Sequence, residues 1–129
     1  SLNGNSGPYL LYTYARIKSI LRKALKHKNI KTLKQKFDFT FVQKDERQLL
    51  LKLSLFPEVT QAAAEKYDPS IIVKYLFELA QSFNDYYHRV PVLKAATAER
   101  GFRLELISAI ALVLQKGVEL LGFATVERM

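Results

Sequence analysis

The chain contains no cysteine, which excludes disulfides, thiolate metal sites and thiol catalysis. It has two histidines, His27 and His88, far apart and without ligand spacing, so no metal site is expected. No apolar run approaches the roughly 20 residues needed to span a bilayer, and no membrane partner is expected. The opening SLNGNSG has neither the basic nor the apolar region of a secretory leader, which makes the cytoplasm the expected location. An initiator methionine is also missing, so the chain is expected to be a piece of a longer protein. Catalytic signatures are absent: there is no G-x-S-x-G, no P-loop and no G-x-G-x-x-G. The carboxylates are scattered, and Asp45-Glu46 read as helix-start residues favoured by capping and the helix dipole. His88 reads as a partner for the C-terminal dipole of its helix rather than as a general base. By itself this chain is not expected to be an enzyme, and no cofactor is expected in it.

One further shortage is local. Residues 1–37 hold nine Lys or Arg and no Asp or Glu, a net charge of +9. Residues 38–129 hold eleven basic and twelve acidic residues, a net charge of −1, and together these make the formal +8. A basic third beside a neutral remainder creates a local positive field suited to a polyanion; a solvated lysine face is the alternative.

What is present reads as helix. At 129 residues, 49% hydrophobic and 25% charged, one globular domain over 1–129 is expected. Leu10, Tyr14, Ile17, Leu21 and Ala24/Leu25 recur at spacings of four and three, predicting a helix that starts near Pro8. At 100° per residue, Tyr12, Arg16, Ser19 and Lys23 fall on the opposite face. Tyr14 is therefore assigned to the core. Tyr12 and Arg16 become outward i,i+4 neighbours, each with a flat surface on which a base can stack. Residues 27–43 lack helical period and predict a long basic connection, with Phe37, Phe39 and Phe41 pinning it to the core.

Asp45 with Gln48 suggests a capping box opening a helix through LLLKLSLF, ended or kinked by Pro57 before a second short piece. Asp68-Pro69 opens the next helix, whose stripe is Ile72, Leu76, Leu79, Phe83, Tyr86 and Val90, and Pro91 stops it. The last helix starts at Thr97 with Leu104, Ile107, Ala111, Leu114, Val118 and Leu121 on its apolar face. Gly122 is expected to end it, and Gly101 and Gly117 to admit a neighbouring helix. The sum is an all-α bundle of four to five helices with a long basic loop after the first.

Three stretches in order carry a family resemblance: GNSGPYLLYTYARI, YLFELAQSFNDYYHRVPVL, and RLELISAIALVLQKGVELLGFATVERM. They resemble the C-terminal anticodon-binding domain of arginyl-tRNA synthetases. There the corresponding patterns are Gly-Pro-Tyr-x-Gln-Tyr-Ala-x-x-Arg, Tyr-Leu-x-x-Leu-Ala-x-x-Phe-Asn-x-Phe-Tyr before Pro-Val-Leu, and a terminal Glu-Arg-Met. Two positions depart from the pattern. Leu11 stands where the family usually has Gln, and Val126 where Pro is frequent. The name-giving Asp-Ala-Leu-Arg element is absent from this chain.

The resemblance implies a DALR-type helical domain of the class I synthetase anticodon-binding type. Its implied partners are tRNA(Arg) and the catalytic domain of the same synthetase, which uses ATP and lies upstream of this chain; a monomer is expected. The family's anticodon contacts correspond to Tyr12, Arg16, Tyr87 and Met129. Asn84 is a further candidate, with a hydrogen bond bracing the following turn as its alternative role. Arginine anticodons share a middle C, and loop bases can be splayed out and stacked on phenol or guanidinium planes. Lys23, Lys26, Lys28 and Lys31 are expected to neutralise phosphates without reading sequence. A second hypothesis is a helical docking module, in which the basic stretch meets an acidic protein or the segment Leu49–Phe56 forms an interface rather than core.

Overall fold

The computed structural model describes residues 6–26 and 42–128, with side chains as far as residue 122. The described residues form five helices: α1 (Ser6–Lys26), α2 (Lys44–Ser54), α3 (Phe56–Glu65), α4 (Ser70–Arg89) and α5 (Thr97–Arg128). The expected connection 27–43 lies outside the described residues except for Val42 and Gln43, and so do Phe37, Phe39, Phe41 and His27.

Helix α4 is the axis of the bundle and packs against all four others. Its predicted stripe Ile72, Leu76, Leu79, Phe83, Tyr86 and Val90 is buried throughout, because each step of four or three returns to the same face. α1 and α5 touch each other as well as α4, closing a three-helix core, while α2 and α3 cover another flank of α4. The first half of α5 is buried on several sides, through Phe102, Leu104, Leu106, Ile107, Ile110 and Leu114. A helix wedged between partners needs apolar residues around its circumference, so one stripe under-describes it. Gly117 sits where α5 crosses α4: a Cβ built there would lie 2.6 Å from both methyls of Leu76, so any side chain there would push the buried Leu76 aside.

Several boundaries differ from the sequence expectation. α1 begins at Ser6, ahead of Pro8, and its buried stripe is Leu10, Thr13, Ile17, Ile20 and Ala24. Tyr14 and Leu21 flank it half-buried, and Leu25 is exposed. The stripe is rotated because the helix meets α4 as well as α5, and the Thr13 hydroxyl finds a buried amide on α4 (Asn84 Nδ2, 3.0 Å). α2 starts at Lys44 with Gln43 as its cap residue, and Glu46 accepts the Gln43 backbone N–H at 2.8 Å. The capping pair is thus Gln43 and Glu46 rather than Asp45 and Gln48.

Pro57 opens α3 in its first turn, where a missing N–H removes no helical bond. α3 ends with Tyr67 in the left-handed region at φ 52°. Asp68 N–H bonds Ala63 O at 2.9 Å and Tyr67 N–H bonds Ala64 O at 3.2 Å, the paired bonds of a Schellman stop. Asp68 Oδ1 then accepts the Ser70 N–H at 3.0 Å and starts α4. Gly122 does not end α5, which runs on to Arg128. A glycine weakens a helix by about 1 kcal/mol relative to alanine, too little to stop a long one.

Beneath α2 lies a polar cluster. Glu46, wholly buried, accepts the Tyr86 hydroxyl at 2.6 Å and Arg103 Nε at 2.9 Å. Arg103 Nη1 donates to Pro91 O at 2.9 Å, and its Nη2 lies 3.5 Å from Glu99. The cluster joins α2, α4, the α4–α5 turn and α5. Burial pushes the Tyr86 phenol pKa up, and the hydrogen bond to the Glu46 carboxylate pushes it the same way. Tyr75, bonded to Lys52 O at 2.6 Å, is pushed up to about 12 by burial.

Candidate nucleic-acid interface

One face of α1 and the C-terminal half of α4 form a shallow groove of about 370 Å³. Tyr12, Ala15, Arg16, Ser19 and Lys23 supply one wall and Tyr87 the other. The wall residues on α1 follow the spacing of a single face, the side away from the Leu10–Ile17–Ala24 stripe. Tyr87 is placed by Phe83, one turn earlier on α4: their rings stack with centroids 5.7 Å apart and planes 20° apart.

Arg16 is the centre of the groove. Its guanidinium carbon lies 4.8 Å from the centroid of the Tyr87 ring, and Nη1 donates to Asn84 Oδ1 at 2.7 Å. The column Phe83–Tyr87–Arg16 therefore ends in a flat cation at the groove. A guanidinium over a phenol face gains from the ring quadrupole and keeps its own outer face available for stacking. Tyr12 is 58% exposed and lines the groove beside it. The expected outward Tyr12–Arg16 pair is modified: Tyr12 is outside, but Arg16 is half-buried and lies over the Tyr87 ring.

Asn84 is 9% exposed and lies below the groove floor. Its Nδ2 lies 3.0 Å from each of Tyr9 Oη, Thr13 Oγ1 and Ala80 O, and its two N–H groups are shared among these three acceptors, so the amide ties α4 to α1. This side chain touches Arg16 rather than opening directly to solvent. Lys23 lines the groove, and Lys26 is exposed in the last turn of α1. Lys28, Lys31 and Met129 lie outside the described residues. The sequence reading missed Tyr9 and Thr13; for Thr13 the available signal was a hydroxyl beside the predicted core stripe, three residues after Leu10 and four before Ile17, and for Tyr9 there was none.

Among the described residues the groove has no carboxylate in its lining. Its chemistry is flat surfaces and N–H donors under a positive field, suited to unpaired bases and phosphates. A second groove, about 390 Å³ between α2 and α4, is different: Asp45, Lys52, Asp85 and Arg89 line it with mixed charge. Lys52–Glu78 at 3.2 Å and Arg89–Asp45 at 2.5 Å pair off much of that charge. Among the described residues no group of three or more His, Asp or Glu side chains could hold a metal ion. Among them also, no helix is long and apolar enough to cross a membrane.

Comparison with known proteins bears on this geometry. The family model for the DALR anticodon binding domain matches residues 10–129. The arginine–tRNA ligase of Lactococcus lactis subsp. cremoris is 41% identical over 129 residues, which is all of this chain and 22% of that protein. That of Pyrobaculum aerophilum is 39% identical over the same length, 20% of its own. Among solved structures, Thermus thermophilus arginyl-tRNA synthetase superposes with a TM-score of 0.79 at 36% identity, covering 95% of this chain and 21% of that one. The chain thus spans about a fifth of the length of the curated relatives it matches. With its five helices and its match over residues 10–129, the chain belongs to the DALR anticodon-binding domain family.

Proposed function

We propose that this chain is the tRNA-reading part of an arginine–tRNA ligase and grips the anticodon loop of tRNA(Arg) in the α1–α4 groove. The aminoacylation chemistry and its ATP belong to a catalytic domain elsewhere in the same protein. The observation that carries the proposal is Arg16, laid over the Tyr87 ring beside the exposed Tyr12 on a helix without a single acidic residue. Tyr12, Arg16 and Tyr87 offer stacking surfaces, and Lys23 and Lys26 neutralise phosphates. Lys28 and Lys31 keep the phosphate-neutralising role expected from the basic charge of the first third, and Met129 the contact that the family resemblance implies.

Stacking accepts any base, so the middle C of the anticodon is discriminated by hydrogen bonds in addition. Each base stack is worth about 1–3 kcal/mol by alanine substitution. Tyr12→Ala and Arg16→Ala are each expected to weaken binding of a tRNA(Arg) transcript about 5- to 150-fold with the helical spectrum unchanged. Unchanged affinity in both variants would refute the groove as the RNA site.

A second reading has its own observation. Leu51 and Leu55, one turn apart at the end of α2, are 66% and 46% exposed, a surface suited to docking on another domain of the same protein. Docking there is compatible with RNA binding at the α1–α4 groove.

A further inference from the structure

We infer that Asn84 is a positioning residue, which locks the Arg16 guanidinium over the Tyr87 ring before RNA arrives; this rests on the α1–α4 groove as the RNA site. The orientation of the Asn84 amide follows from its neighbours. Ala80 O can only accept and lies 3.0 Å from Nδ2, while Arg16 Nη1 can only donate and lies 2.7 Å from Oδ1. Turning the amide over would set donor against donor and acceptor against acceptor. The hydroxyls of Tyr9 and Thr13, each 3.0 Å from Nδ2, can donate or accept and fit either orientation, so Ala80 and Arg16 decide it.

Arg16 is thereby held from two directions. Asn84 grips one edge of the guanidinium in its plane, and the Tyr87 ring supports its face at 4.8 Å. Asn84 and Tyr87 are three residues apart on α4, so one turn of helix sets both supports on the same side. A free arginine side chain must surrender its rotamers on binding; one already held surrenders few, which favours affinity without any new contact. Among the described residues Arg16 donates one hydrogen bond, to Asn84, so one N–H of five is engaged and the cation stays competent to donate. The position was legible as a candidate contact; the structure assigns it to the layer behind the contact.

The test uses the whole chain and a fluorescently labelled arginine anticodon stem-loop, followed by anisotropy. Asn84→Leu removes the acceptor at similar volume and is expected to weaken binding about tenfold, the scale of one charge-assisted hydrogen bond. Asn84→Ala carries the same expectation should the leucine variant not fold. In an Arg16→Ala background Asn84→Leu is expected to change affinity by less than about twofold, since its effect runs through Arg16. In the RNA-free chain, guanidinium rotation of Arg16 read by NMR should be slow in the native protein and fast in Asn84→Leu.

Equal losses in the native and Arg16→Ala backgrounds would mean a general structural role and would overturn the inference. So would native affinity in Asn84→Leu while Arg16→Ala is weak. If Arg16→Ala itself binds as the native chain does, this inference falls, and the groove reading falls with it only where Tyr12→Ala is unchanged as well.

Discussion

Removing the Glu46 carboxylate tests the internal frame that holds α4 in place. Glu46→Ala deletes the acceptor for three donors: Gln43 N–H at 2.8 Å, the Tyr86 hydroxyl at 2.6 Å and Arg103 Nε at 2.9 Å. Arg103, whose side chain is 4% exposed, keeps the Pro91 carbonyl and a more distant Glu99 but loses its buried counter-charge. Breaking a buried pair by removing one partner costs about 3–5 kcal/mol. That is a large part of the roughly 5–15 kcal/mol that holds a domain together. Near the melting temperature it amounts to a fall of roughly 10–20 °C.

Urea denaturation followed by circular dichroism measures the change from the midpoint at constant slope. Glu46→Gln keeps the shape but turns one acceptor oxygen into a donor, so about 1.5–3 kcal/mol is expected. A Glu46→Met, Arg103→Met pair removes both charges and is expected to recover much of the loss, because a buried ion pair contributes little net stability. A Glu46→Ala loss below about 1 kcal/mol would refute the reasoning. So would a double variant no better than the single one.

Two other expectations concern charge. Tyr75, raised to about 12, and Tyr86, raised as well, keep their protons in the folded chain when an unfolded phenol has begun to ionise near pH 10. Above that pH the unfolded state binds fewer protons at these two groups, so their contribution to stability is flat below about pH 10 and falls as pH rises from about 10 to 12. Tyr75→Phe should make that fall shallower in urea midpoints measured between about pH 8 and 11.5; parallel curves would contradict it. Lys23→Ala with Lys26→Ala should lower the slope of log affinity for tRNA against log salt by about 1.5, at roughly 0.7–0.9 per phosphate contact. An unaltered slope would remove both lysines from the phosphate contacts.

The helices were legible wherever one face met one partner. The α4 stripe from Ile72 to Val90 came through whole, since its spacing and its Asp68 start are local properties of the chain. α1 and α5 were harder because each meets more than one neighbour. The extra contact face of α1 moved Thr13 and Ile20 inside and Leu25 out, and α5 buried Phe102, Leu106 and Ile110 beyond its predicted stripe. Gly122 misled because a glycine marks a stop only where the chain needs the left-handed region, and this one is helical.

At the groove, the outward placement of Tyr12 followed from helical geometry, and Tyr87 from the family resemblance. The depth of Arg16 and the burial of Asn84 depend on how closely α1 approaches α4, which periodicity cannot give. Glu46 read as a cap and is one, through Gln43 N–H. Its second role with Tyr86 and Arg103 joins residues 40 and 57 positions away, beyond the reach of local pattern.

Titrating an arginine anticodon stem-loop into the isotope-labelled chain, residue by residue in NMR spectra, most directly locates the bound RNA. Resonances of Tyr12, Arg16, Lys23 and Tyr87 are predicted to shift together and saturate with one stem-loop per chain, while Leu51 and Leu55 stay still. Shifts gathered on α2, with Tyr12 and Arg16 unmoved at saturation, would contradict the account.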